Sequence, residues 1–142
     1  INFIEGGWKS MHVGSKEWLK KFQEAVNLDP ELNVIGKYCN TDFLLQIGPK
    51  EYIIQIQQGK WINFFEKREL DKWQFAIRGS LEAWKKFTKP TPPPMFHELF
   101  AAVFQGNMQV EGNIEELMAN LRYMIRFLDI TREVNNTFVK GV

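Results

Sequence analysis

The sequence predicts an α+β domain, and three observations predict it. The apolar period is helical from Ser15 to Val26, changes to two in the runs DFLLQIG, EYIIQIQQG and WQFAIR, and turns helical again after Gly79. Turn and breaker residues sit at the changeovers: Asp29-Pro30, Gly48-Pro49-Lys50 and Gly79-Ser80. At 142 residues, 44% hydrophobic and 25% charged, the chain has the size and composition of one domain with a real core.

Each element follows from its residues. Ser15 is the expected N-cap of a helix over 16–27, in which Trp18, Leu19, Phe22, Ala25 and Val26 share a face. Asp29-Pro30 breaks it. NVIGKYC, residues 33–39, reads as a first strand and would place Cys39 there. In DFLLQIG, Phe43, Leu45 and Ile47 share one face. In EYIIQIQQG, Tyr52, Ile54 and Ile56 share one face and Ile53, Gln55 and Gln57 the other. WQFAIR repeats the pattern, with Trp73, Phe75 and Ile77 inward and Gln74, Ala76 and Arg78 outward. Such runs suit an antiparallel meander with one covered face and one wetter face. WINFFEKRELDK, between them, fits either a strand extension or a loop.

Ser80 caps LEAWKKFT, with Leu81, Trp84 and Phe87 along one side. The proline cluster KPTPPP ends that helix. Pro94 then suits the first position of another, MFHELFAAVF, where Met95, Phe96, Leu99, Phe100 and Val103 form an apolar stripe. A last helix, NIEELMANLRYMIRFLDI, opens on Asn113 and Glu116 at capping-box spacing. Its apolar face is Ile114, Leu117, Met118, Leu121, Met124, Ile125 and Leu128. Between these two helices lies FQGNMQVEGN. Gly106 falls where a helix must stop, and Gly112 where a short strand turns into the capped helix. Met108 and Val110 point one way, Gln109 and Glu111 the other.

Composition excludes several functions. A net charge of +1, from 18 basic and 17 acidic side chains, provides no electrostatic footprint for nucleic acid. A single cysteine precludes an internal disulfide and points to a reducing, cytoplasmic setting. No apolar run approaches the roughly 18 residues of a membrane span. Two histidines and one cysteine without short spacing make no zinc site. Glu115 and Glu116 open a helix, where carboxylates favour the macrodipole. The Gly106–Gly112 frame lacks the lysine of a phosphate-binding loop. His97, between Phe96 and Glu98, has no nucleophile with a motif around it, so no catalytic residue, metal or cofactor is expected. Lys20-Lys21-Phe22 and Lys85-Lys86-Phe87 read as solvated helix faces. The 14% aromatic content suits either a packed core or the wall of an apolar cavity.

The closing pattern Phe104, Gln105, Gly106, Met108, Val110, Gly112 and Asn113 resembles that of the sterol carrier protein family. Element order extends the likeness over roughly residues 15–130, with 16–27, 33–57 and 73–88 matching the leading helix, the strand pair and the strand entering a capped helix. The resemblance implies a five-stranded mixed, mostly antiparallel sheet, helices covering one face, and a hydrophobic tunnel for a sterol, fatty acid or fatty acyl-CoA. By position it implies a floor of Phe43, Leu45, Ile54, Ile56, Phe75, Ile77, Met108 and Val110. The roof would be Phe96, Leu99, Phe100 and Val103, the last helix would add Leu121, Met124, Ile125 and Leu128, and Gln105 would be a polar anchor. KPTPPPMFHELFAAVF is longer and more apolar than the family's usual link, which alters the roof.

The expectation is therefore a non-catalytic carrier of one lipid or other apolar small molecule in a domain over 15–130. The expected division has residues 1–14 as a lead, either trimmed or the remnant of a longer chain, and 131–142 as a tail. The alternative is an accessory or interaction domain of a larger lipid- or hydrocarbon-metabolising enzyme, fused or partnered, docking through its apolar helix; a homodimer fits either. A small enzyme with an apolar cavity would have only His97 to offer as an acid–base group.

Overall fold

The computed structural model describes residues 12–96 and 99–140, with side chains as far as Val134. Helix α1 spans Lys16–Leu28, and the Ser15 hydroxyl accepts from Trp18 N at 3.1 Å, as the cap requires. Asp29 does more than end it. Its carboxylate accepts from Leu32 N at 3.0 Å and starts α2, Pro30–Ile35, with Pro30 in the first turn. The strand expected over 33–39 is therefore absent. A well-formed Asp-Pro helix start outweighs the β-branched Val34 and Ile35, and Cys39 lies in the turn before β1, buried.

The strands are β1 Thr41–Ile47, β2 Lys50–Gln57, β3 Lys60–Glu66, β4 Phe75–Gly79 and β5 Met108–Gly112, in the order β3-β2-β1-β4-β5. The ambiguous WINFFE thus supplies the strand that 33–39 does not. β1, β2 and β3 form an antiparallel meander. Residues 67–74 return the chain to β4, parallel to β1, and β5 pairs antiparallel with β4 at the edge. Phe43 stands between Ile54 and Phe75, and Leu45 between Tyr52 and Ile77, so one apolar row crosses three strands.

Helices cover that row. Phe22 of α1, Trp61 of β3 and Phe127 of α6 (Leu121–Lys140) meet at centroid distances of 4.8–5.2 Å, and Phe43 stacks on Phe75 at 5.2 Å. Each such ring pair adds about 0.5–1.5 kcal/mol beyond its burial. The outer face is drier than expected. Leu44, Ile53 and Ala76 form a second buried cluster, with Phe65 and Trp73 packed on it. Trp73 packs on this outer cluster, not inward with Phe75; it precedes β4, so the alternation of the strand does not fix its side.

Helix α3 is Leu81–Phe87, capped by Ser80 as expected. Pro94, however, does not begin a helix. Pro94 and Met95 form a turn, with Met95 at φ +74°, and Phe96 N reaches back to Pro93 O at 3.1 Å. Consecutive prolines hold the preceding backbone extended, and α4 is Leu99–Phe104. The last helix is two: α5, Ile114–Ala119, ends at Asn120, where α6 begins. The break changes the helical phase, leaving Ile114 and Met118 exposed while Tyr123 and Phe127 are buried. Helix α6 passes residue 130, with Thr131 and Val134 buried.

Candidate functional site

The residues proposed by resemblance fall into two environments. Phe43, Leu45, Ile54, Ile56, Phe75 and Ile77 are 0–1% exposed and close-packed under α1 and α6. Phe96, Leu99, Met108, Met124 and Leu128 join the same buried cluster, while Phe100, Val103 and Val110 are half-buried against it. Leu121 and Ile125 are half-buried on α6. Gln105 is exposed in the turn after α4.

A cleft of about 680 Å³ opens beside the second group. One bank is Gly79 to Ala83 with Lys86; the other is Gly106 to Gln109. Three of its lining residues, Ala83, Phe96 and Met108, also belong to the core cluster, so the cleft abuts the interior. Strand pairing brings the banks together, since Met108 stands opposite Gly79. At Gly79 a Cβ would lie 2.8 Å from the Trp84 indole nitrogen, which donates to Gln46 O at 2.7 Å.

Charge at the cleft is organised. Burial opposes the charge of Arg78, but hydrogen bonds to Glu51 and Glu111 outweigh it and raise its pKa. Arg78 also donates to Gln46 Oε1 at 2.9 Å. Lys86 Nζ stands 5.6 Å above the Phe96 ring. Arg132 of α6, which no sequence pattern signalled, donates to Phe87 O and to Phe96 O, each at 2.8 Å, and pairs with Asp129 at 2.7 Å. It pins both ends of the proline segment, and only the fold brings these partners within reach.

Chemistry of other kinds finds little footing. Burial, with the Glu116 charge adding, pushes the Cys39 thiol up to about 12, far from a nucleophilic thiolate. Among the described residues, no cluster of His, Cys, Asp and Glu could hold a metal, and no helix is long and apolar enough to cross a membrane. His97 lies outside the described residues.

No protein-family model and no curated protein sequence matches this chain. Solved structures do. A conserved hypothetical protein from Thermus thermophilus, suggested to be a sterol carrier protein, superposes with TM-score 0.68 at 14% identity, covering 88% of this chain and 91% of that one. Sterol carrier protein 2 superposes with TM-score 0.68 at 13% identity over 84% and 96% of the two chains. A ubiquinone synthesis protein, UbiJ-SCP2, matches with TM-score 0.53 at 9% identity over 79% and 90%. Five strands in this order, with helices on one face, make this chain an α+β domain with the sterol carrier protein fold.

Proposed function

We propose that the chain binds and carries one apolar small molecule, of the sterol, fatty acid or fatty acyl-CoA class, without catalysis. The observation that carries this reading is the position of Phe96 and Met108, which line an open cleft and belong to the buried core at once. A ligand moving inward would displace these two side chains and the half-buried Phe100, Val103 and Val110, rather than the interlocked rings under α1. Methionines at 108 and 124 adapt to irregular shapes at small cost. Affinity would come from apolar area removed from water, at roughly 25 cal/mol per Å² before association costs. The fold shared with sterol carrier protein 2 supports the reading.

The test is titration with an environment-sensitive apolar probe, followed by displacement with a long-chain fatty acid or a sterol. One displaceable site per chain is the expected result. No binding at micromolar concentration would end the carrier reading. A second reading, an accessory domain of a larger lipid-metabolising enzyme, has the likeness to a ubiquinone synthesis protein in its favour. It predicts stable capture of a partner enzyme by ligand-free protein.

A further inference from the structure

We propose that the cleft rim is a docking surface for an anionic lipid bilayer, built by α3, the proline segment and the end of α4. Large apolar side chains are exposed there: Phe104 is 82% exposed, Met95 46% and Leu81 37%. Each lies within two residues of the cleft lining: Leu81 and Lys86 are part of it, Phe104 comes two residues before Gly106, and Met95 immediately precedes Phe96. The Phe104 ring rests against Phe100 at 6.3 Å, so it is supported rather than loose.

Charge identifies the partner. Over the whole of residues 81–104 the sequence holds Lys85, Lys86 and Lys89 against two acids, Glu82 and Glu98. All three lysines are exposed, and among the described residues none takes part in an ion pair. Beyond β5 the acids Glu115 and Glu116 open α5, away from the cleft, while Glu111 within the strand is paired with Arg78. Ammonium groups without a carboxylate partner among the described residues, beside exposed Phe, Met and Leu, match a layer of acidic headgroups over acyl chains. Helix α1, which carries the other Lys-Lys-Phe run, cannot serve equally. Its Trp18, Leu19, Phe22 and Val26 are wholly buried, leaving only the small, half-buried Ala25 of that stripe, with Leu28 exposed at the far end of the helix from Lys20 and Lys21. This surface stands independently of what the interior carries.

Flotation of the whole chain with vesicles tests it, using phosphatidylcholine alone and a roughly 3:1 mixture with phosphatidylglycerol, at low and high salt. Binding is expected to the anionic vesicles only and to weaken with salt. Lys85→Gln, Lys86→Gln and Lys89→Gln should each lower the partition coefficient about fivefold. Phe104→Ser should lower it about tenfold or more. Because these side chains are exposed, melting temperatures should match the parent's. The triple control Lys16→Gln, Lys20→Gln, Lys21→Gln removes as many charges from α1 as Lys85→Gln, Lys86→Gln and Lys89→Gln combined remove from the rim, and should keep most of the binding. No binding by the parent, equal binding to neutral vesicles, or an equal loss in the α1 control would overturn the proposal. So would a parent dimer in ultracentrifugation that Phe104→Ser dissociates, which would assign the rim to protein contact. Probe titration without vesicles reports on the interior separately, so either idea can fail alone.

Discussion

The helical layer has two halves that are held differently. Under α1 and α6, Phe22, Trp61, Phe43, Phe75 and Phe127 interlock ring against ring, and Asn27 bonds both N and O of Trp61, closing the β3 edge. Around α3, α4 and β5 the contacts are thinner: Phe100, Val103 and Val110 are only half-buried and a cleft reaches Phe96 and Met108. The difference shows where an interior of normal density can yield. Losing a void-free aromatic cluster costs full burial energy, whereas half-buried side chains move at smaller cost.

This contrast meets its most severe test in the packed half. Phe127→Ala removes the ring that touches Phe22, Trp61 and Phe43 and should destabilise by about 3–5 kcal/mol, measured by urea unfolding. A loss below about 1 kcal/mol would mean that this cluster is no firmer than the cleft side.

Next comes Gly112, at φ +90°, where a Cβ would lie 2.8 Å from both Gln74 O and the Trp73 ring. Gly112→Val combines a forbidden backbone with a clash and should cost about 2–3 kcal/mol. An unchanged melting temperature would show ordinary geometry there.

In the yielding half, Phe100→Ala should cost about 2 kcal/mol or less, since the ring is only half-buried. Probe affinity should shift several-fold. An affinity equal to the parent's would remove α4 from the ligand site.

Asp29 ties α2 to α6 through two hydrogen bonds from Arg126, at 2.6 and 3.1 Å. These bonds, against the opposing effect of burial, hold its carboxyl below the usual 3.8, helped by Leu32 N–H. The folded protein therefore binds fewer protons than the unfolded chain between the two values. The contribution is complete above about pH 3.8 and is lost as pH falls through the lower folded value. Asp29→Asn keeps the cap and loses the charge, so it should cost about 1–2 kcal/mol at neutral pH. The gap between variant and parent should close in acid; a gap independent of pH would assign the loss to packing.

Smallest is Gly106→Ala. The glycine also has positive φ, +77°, but a Cβ would meet nothing within 4 Å, so only the backbone term applies, about 1 kcal/mol. A loss as large as that of Gly112→Val would show that space plays no part in the contrast.

Local sequence was enough for the α+β class, for the capped starts of α1, α3 and α5 at Ser15, Ser80 and Asn113, for the strands β1, β2, β4 and β5, and for the positive φ of Gly106 and Gly112. Each rests on a short-range cause: an oxygen within three residues of an N–H, an alternation of period two, a missing Cβ. Long-range contacts chose which ambiguous segment became a strand, since β3 exists by pairing with β2 and by Asn27, 34 residues away. The same holds for Trp73, which packs on the outer cluster of Leu44, Ile53 and Ala76, and for Arg132, whose acceptors lie 36 and 45 residues away. The candidate site divides likewise. Its apolar residues were legible as periodic faces, but the cleft comes from β4–β5 pairing, which sets Gly79 opposite Met108. A periodic face shows that a segment is buried but not which distant segment it meets, which is why folding had to decide the pairings.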